Sequence, residues 1–234
     1  MHVPDGFLDA PTSIATGVVA AAGVAVALRK SRDELDDRTA PLAGLVAAFV
    51  FAGQMINFPV GAGTSGHLLG GALAAVLVGP WTATLCISVV LLVQALFFAD
   101  GGLTALGTNI TLMGLVGVFV GYAVFLAVRA VLPRRLGVVP AAAAMGALVS
   151  VPVAAATFTG LFAVGGNADL DMGEVLTAML GWHTVIGIGE AVITGLVVSA
   201  ICTSRPDLVH GARRALAARA ADERTDVTTS EVVA

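Results

Sequence analysis

Long apolar runs, broken by short polar or Gly/Pro-rich stretches, organise this chain from residue 12 to about residue 202. A bilayer core about 30 Å thick takes roughly 20 apolar residues per helix. Seven segments approach that length: 12–28, 40–58, 65–79, 81–99, 109–128, 140–164 and 181–202. The pattern predicts an all-α integral membrane protein with about seven transmembrane helices. Segment 65–79 is short, since at ~1.5 Å per residue it reaches only about 22 Å. It either borrows length from the Gly-rich stretch before it or lies in the protein interior.

Charge position supports the count. The 12 basic residues are Arg29, Lys30, Arg32, Arg38, Arg129, Arg134, Arg135, Arg205, Arg213, Arg214, Arg219 and Arg224. Seven crossings with the N-terminus outside and the C-terminus cytoplasmic put all of them on the cytoplasmic side, as the positive-inside rule asks. The outer segments 1–11, 59–64, 100–108 and 165–180 hold acids but no Lys or Arg. An anionic vestibule attracts cations, although the positive-inside rule alone also empties these loops of base. The division expected is an N-terminal segment 1–11, a transmembrane bundle 12–203 and a cytoplasmic tail 204–234 that forms a short fraying helix. Pro4, Asp5 and Gly6, with no basic stretch before them, argue against a cleaved signal peptide.

Composition sharpens the class. Of 234 residues, 57% are apolar and only 12% charged, about half the charge of a soluble domain. The net charge of −4 excludes a nucleic-acid binder working through a basic field. Cys86 and Cys202, both inside apolar runs, make no disulfide framework. Small residues recur four apart at Gly17, Ala21 and Ala25, at Gly117 and Gly121, and at Gly187, Ala191, Gly195 and Ser199. Such faces let helices approach closely in lipid. They serve packing within the bundle, or, in the first span, docking of another membrane subunit.

The chemistry lies in a few polar residues. Met1-His2 is a chelator: the α-amine, the His2 backbone nitrogen and His2 Nδ1 close two rings around one ion. Three nitrogens in a plane suit Ni²⁺, Cu²⁺ or low-spin Co²⁺, and loss of the amide proton makes binding release protons. His67, next to the glycines of residues 61–66 at the outer end of a span, is placed to give a fourth nitrogen. Gln54, Asn57, Gln94, Asp100 and Asn109 lie at or near membrane depth, where polar groups are costly and often functional. They either orient the histidines or join helices. Glu190, about two turns inside the last span, needs a polar partner. His183, beside Trp182, reads as an interfacial anchor, and His210 as a solvated tail residue.

Several of these stretches together resemble the CbiM/NikM family, the substrate-specific membrane components of energy-coupling-factor transporters for cobalt and nickel. The matching stretches are Met1-His2-Val3-Pro4-Asp5-Gly6-Phe7-Leu8, Gln54-Met55-Ile56-Asn57-Phe58-Pro59, Gly63-Thr64-Ser65-Gly66-His67-Leu68, and Gln94 through Leu103. Ala105-Leu106-Gly107-Thr108-Asn109 and Gly189-Glu190-Ala191 also fit. The likeness covers residues 1 to about 203. It implies a seven-helix bundle with the N-terminal segment tucked inside, and a metal site made by the Met1 amine, the His2 amide and imidazole, and His67. It also implies a small CbiN- or NikN-type membrane partner, a coupling transmembrane protein and ATPase subunits. One departure is Leu112 before Met113-Gly114, where the family pattern suggests Asn.

The reading is thus a multi-pass cell-membrane subunit that captures Co²⁺ for import, with Ni²⁺ as the alternative substrate. It is not an enzyme, since this chain has no GxxxxGK[ST] for ATP. An intramembrane metalloenzyme is the weaker competitor, because no HExxH occurs. A purely structural subunit with incidental histidines is the other. Cobalt is favoured over nickel by the short chain, which lacks an obvious fused partner segment.

Overall fold

The computed structural model describes residues 1–36, 39–61, 64–133 and 135–221. Arg38, Gly63, Arg134, Arg224 and the rest of the tail from residue 222 lie outside the described residues.

Among the described residues, eight α-helices follow one another up to residue 204. Helix α1 spans Ala10–Lys30, opened by Asp9, whose Oδ1 accepts from the Thr12 amide at 2.9 Å, and by Pro11 in the first turn. Such a cap satisfies a helix-end donor. Helix α2, Thr39–Gln54, leads into an antiparallel hairpin of β1 (Phe58–Gly61) and β2 (Thr64–Gly66), with Phe58 opposite Gly66. The short α3 (Gly71–Val78) and α4 (Pro80–Phe97) follow. A single apolar span, Leu106–Val131, comprises α5 (Leu106–Asn109), π-helical turns over Ile110–Gly117, and α6 (Val118–Val131). Helices α7 (Val139–Gly165) and α8 (Met172–Ser204) pack against each other along most of their length.

Five helical segments among the described residues are long and apolar enough to cross a membrane: Ala10–Asp33, Pro80–Phe97, Leu106–Val131, Leu136–Gly165 and Met172–Ser204. Helix α2 is a shorter apolar helix. The predicted segment 65–79 is not one continuous helix. Its first part is strand and loop, and α3 has 8 residues, all buried, about 12 Å long at 1.5 Å per residue. A helix apolar on every side belongs in a core, and α3 is the centre of this one.

Glycines make that centre tight. A Cβ on Gly121 would stand 2.6 Å from Ala72 Cβ, and one on Gly71 would stand 3.0 Å from the Gly117 carbonyl carbon. The Gly117/Gly121 face therefore packs inward, on α3, as does Gly187 on α7, 3.1 Å from Leu148 O by the same measure. On α1, Ala21 and Ala25 remain exposed.

Carboxylates fasten both ends of α3. Glu190 of α8 accepts from the amides of Leu69 and Gly70 at 2.8 and 2.9 Å. Glu34 accepts from Trp81 and Thr82 at 3.1 and 2.7 Å, where α4 begins, and an anion there meets the positive helix end. Gly79 between α3 and α4 has φ +95, a conformation L side chains avoid, and Glu34 fills the space a Cβ would need.

Two sequence expectations need correction here. Helix α8 starts at Met172, not near residue 181, because Asp171 caps it through the Glu174 amide at 3.0 Å. The acids of 169–174, read as an outer loop, partly belong to that helix start. His210 is not simply solvated: it is half-buried, with its ring 6.1 Å from that of Tyr122. Within the predicted tail, residues 213–221 are helical.

Candidate metal site

The N-terminal segment is threaded into the bundle rather than trailing from it. Met1, His2, Val3, Phe7 and Leu8 are all buried. Phe7 sits against Phe162 and Phe158, with ring centroids 5.2 and 5.8 Å away. Backbone bonds tie the segment to two neighbouring loops. Gly102 N–H donates to Val3 O at 2.9 Å, Asn167 N–H to Phe7 O at 2.9 Å, and Asp9 N–H to Gly165 O at 2.7 Å. Asp5 accepts from the Thr104 amide and hydroxyl at 2.7 and 2.5 Å. Gly101 (φ +88) lets the loop press close, since a Cβ there would stand 3.1 Å from both His2 Nδ1 and Asn109 Nδ2.

This threading brings His2 to His67. Their rings stack with centroids 4.4 Å apart and planes 30° from parallel. His67 Nδ1 is 2.8 Å from Leu68 O, so in the neutral ring that nitrogen carries the proton and Nε2 is a bare acceptor. Burial pulls the Met1 amine down to about 4, opposed by the charge of Asp100. Burial, then the charge of that amine, takes His2 down to about 3. Desolvation disfavours the charged forms, and both groups are neutral at pH 7.

The polar residues singled out in the sequence divide by contact. Asn109 grips the Val3 backbone with both side-chain atoms, at 2.8 and 3.2 Å. Asp100 Oδ2 lies 3.6 Å from His2 Nε2 and accepts from Asn57 Nδ2 at 3.1 Å. Gln54 Nε2 donates to Leu69 O at 2.8 Å, bracing the loop that carries His67. Gln94 is buried, with its amide 4.0 Å from the Met55 sulfur, and among the described residues no hydrogen bond joins it to the histidines.

His183 is the residue the sequence misplaced. It is 0% exposed, three turns inside α8 rather than at its end. Its Nδ1 is 2.8 Å from Met179 O, which leaves Nε2 a bare acceptor, within electrostatic range of the Met1 amine and His67. The signal was present: His183, Glu190 and Thr194 are spaced to share one helix face, and all are buried.

Five buried polar atoms near this region make no hydrogen bond among the described residues: Nε2 of His2, His67 and His183, and Oε1 of Gln54 and Gln94. Buried polar atoms are ordinarily paired, so a cluster of unpaired imidazole nitrogens beside a neutral amine suits a cation. Among the described residues no three His, Cys, Asp or Glu side chains gather at metal-ligand spacing. A metal held here therefore needs backbone nitrogen as well.

Residues 2–208 match the family described as cobalt uptake substrate-specific transmembrane region. A putative metal transport protein of Haloquadratum walsbyi is 38% identical over 209 residues, covering 89% of this chain and 93% of that protein. The cobalt transport protein CbiM of Sorangium cellulosum is 36% identical, covering 89% and 94%. The fused nickel transport protein NikMN of Rhodobacter capsulatus is 37% identical, covering 93% of this chain and 66% of that protein. The crystal structure of a truncated transition metal transporter superposes with TM-score 0.80 at 31% identity, covering 87% of this chain and 99% of that one. The chain belongs to the CbiM family, multi-pass membrane components of cobalt and nickel transport.

Proposed function

We propose that this chain captures Co²⁺ for import by an energy-coupling-factor assembly, with Ni²⁺ the alternative substrate. The Met1 amine, the His2 amide nitrogen, His2 Nδ1 and a His67 imidazole nitrogen hold the ion in a plane. The observation that carries the reading is the 4.4 Å separation of the His2 and His67 rings beside a buried amine. Two imidazoles bound cis to one ion at about 2 Å have ring centroids roughly 4–5 Å apart, so the pair already has the spacing a shared metal requires.

The surroundings of the ligands have separate tasks. Asn109 and the Gly102 amide fix Val3, and with it the His2 amide. Asp100 faces His2 and, through Asn57, the hairpin. Gln54 and Glu190 hold the backbone of Leu69 and Gly70 and so aim His67. A metal-bound amine has two N–H donors, and the bare Nε2 of His183 is an acceptor for one of them. His183 is thus a positioning residue for Met1. The first eleven residues form the chelating segment, 12–203 the bundle, and the remainder the tail.

Seven crossings, with α2 and the buried stretch from β2 through α3 completing the five long spans, put the chelating segment outside and the basic residues on the cytoplasmic side. Relatives named as fused NikMN proteins suggest a NikN-type partner for this chain, alongside a coupling protein and ATPases. Release to the cytoplasm follows withdrawal of the N-terminal segment. The Ni²⁺-loaded protein tests the plane: four strong nitrogens in a square give a diamagnetic ion, whereas a paramagnetic, octahedral Ni²⁺ contradicts the site. Uptake by the full assembly then ranks Co²⁺ against Ni²⁺.

A further inference from the structure

At the other end of α3 from the histidines, a cavity of about 760 Å³ opens between α6 and the segment that follows α8. Arg129, Arg213, Arg214 and His210 line it, with Tyr122 and Leu126. The segment is held by Arg213, whose Nη2 donates to Glu34 O at 3.1 Å. Arg129 Nη1 donates to Arg135 O at 3.0 Å. Both are carbonyl contacts. Among the described residues none of these three guanidiniums is paired with a carboxylate, and the side chain of Glu34 is taken by the Trp81 and Thr82 amides. His210 Nδ1 is buried without a partner.

Like charges gathered around one cavity repel, and an anion relieves the repulsion. Guanidinium is the side chain suited to phosphate, through paired N–H donors. The lining is not only basic. Leu132 also borders the cavity, and beside it Val131 is 81% exposed at the end of α6. The cavity therefore opens onto the apolar flank of a spanning helix, at the level where lipid headgroups lie. Free phosphate uses only the arginines. A phosphate with an apolar chain uses both parts, and basic pockets between spanning helices are known headgroup sites.

We infer that this cavity holds the phosphodiester headgroup of an anionic membrane lipid, with Arg129, Arg213 and Arg214 around the phosphate and Leu126 and Leu132 along an acyl chain. The lipid then braces the segment after α8 against α6.

The test is native mass spectrometry of the full chain titrated with phosphatidylglycerol or phosphatidylcholine. One phosphatidylglycerol is retained about tenfold better, at roughly a tenfold effect for one or two basic contacts. Arg129→Gln with Arg214→Gln removes the preference while metal binding at the histidines and helix content stay unchanged. Arg214→Gln alone, the gentler change, removes part of it. Equal retention of both lipids, or a preference that survives the double substitution, overturns the inference. Displacement by millimolar inorganic phosphate identifies a soluble-anion site and overturns the lipid assignment. A preference that emerges only when the chain is ended after Ala221 assigns the cavity to the acidic residues beyond it, and overturns the inference as well.

Discussion

Asn109 holds the backbone of Val3 from both sides: the Val3 N–H donates to Oδ1 at 2.8 Å, and Nδ2 donates to Val3 O at 3.2 Å. One side chain from the start of the Leu106–Val131 span thus fixes the peptide immediately after His2. Groups that orient metal ligands typically contribute 10–100-fold in affinity. Asn109→Ala should therefore weaken Co²⁺ binding by roughly that factor, read by calorimetry, with helix content retained. Unaltered affinity means the clamp does not position the chelate.

Glu190 is a structural counterpart at the His67 loop. Glu190→Ala leaves the Leu69 and Gly70 amides buried without acceptors, at about 1–3 kcal/mol each. A lowered unfolding temperature, with Glu190→Gln intermediate, is the expected result of thermal unfolding in detergent. A Tm within a degree or so of the parent's argues that the two bonds hold nothing in place.

His183 should trade stability for binding. Its Nε2 is buried and unpaired, so His183→Leu removes an unsatisfied acceptor and is neutral or stabilising for the metal-free protein, by up to about 1–3 kcal/mol. The same change takes an acceptor from the metal-bound amine and weakens Co²⁺ binding, while His183→Gln, which keeps an acceptor, restores part of it. If Leu binds metal as well as His, the residue only fills space. An axial nitrogen splitting in the spectrum of bound Co²⁺, lost in His183→Gln, makes it a ligand instead.

Proton release follows from the same burial. The Met1 amine and His2 are drawn to about 4 and about 3, so both are neutral near pH 7 and only the His2 amide has a proton to lose on chelation. The logarithm of affinity should rise by about one per pH unit between about pH 6 and 8. A free Met-His peptide, whose amine titrates near 8, should show a steeper rise. An equally steep rise in the protein means the amine is protonated there and solvated.

Much of this was readable beforehand, and the misses have physical causes. The apolar runs point to the long helices because lipid demands length and apolarity, and His2 and His67, two histidines the sequence singles out, lie ring against ring. Segment 65–79 was harder: a run of apolar residues looks alike whether lipid or protein surrounds it, and only the Glu190 and Glu34 fastenings reveal α3 as an internal helix. His183 was misjudged because Trp182 beside it does face outward, 46% exposed. A tryptophan marks its own side of a helix and says nothing about the next residue, turned 100° away. Gln94 was legible as a buried polar residue, but the partner of its side-chain amide, the Met55 sulfur, is set by packing that no local pattern shows.

The most direct test is bound Co²⁺ and Ni²⁺ on the purified chain with its Met1 amine free, beside a version carrying one extra residue before Met1. The extension leaves every side chain in place and removes only the free amine from the chelate. Loss of both metals from the extended chain, with the fold retained, is the predicted result. Binding of equal strength in the two chains contradicts the Met1-His2 chelate and shifts attention to the side chains of His67, His183 and Asp100.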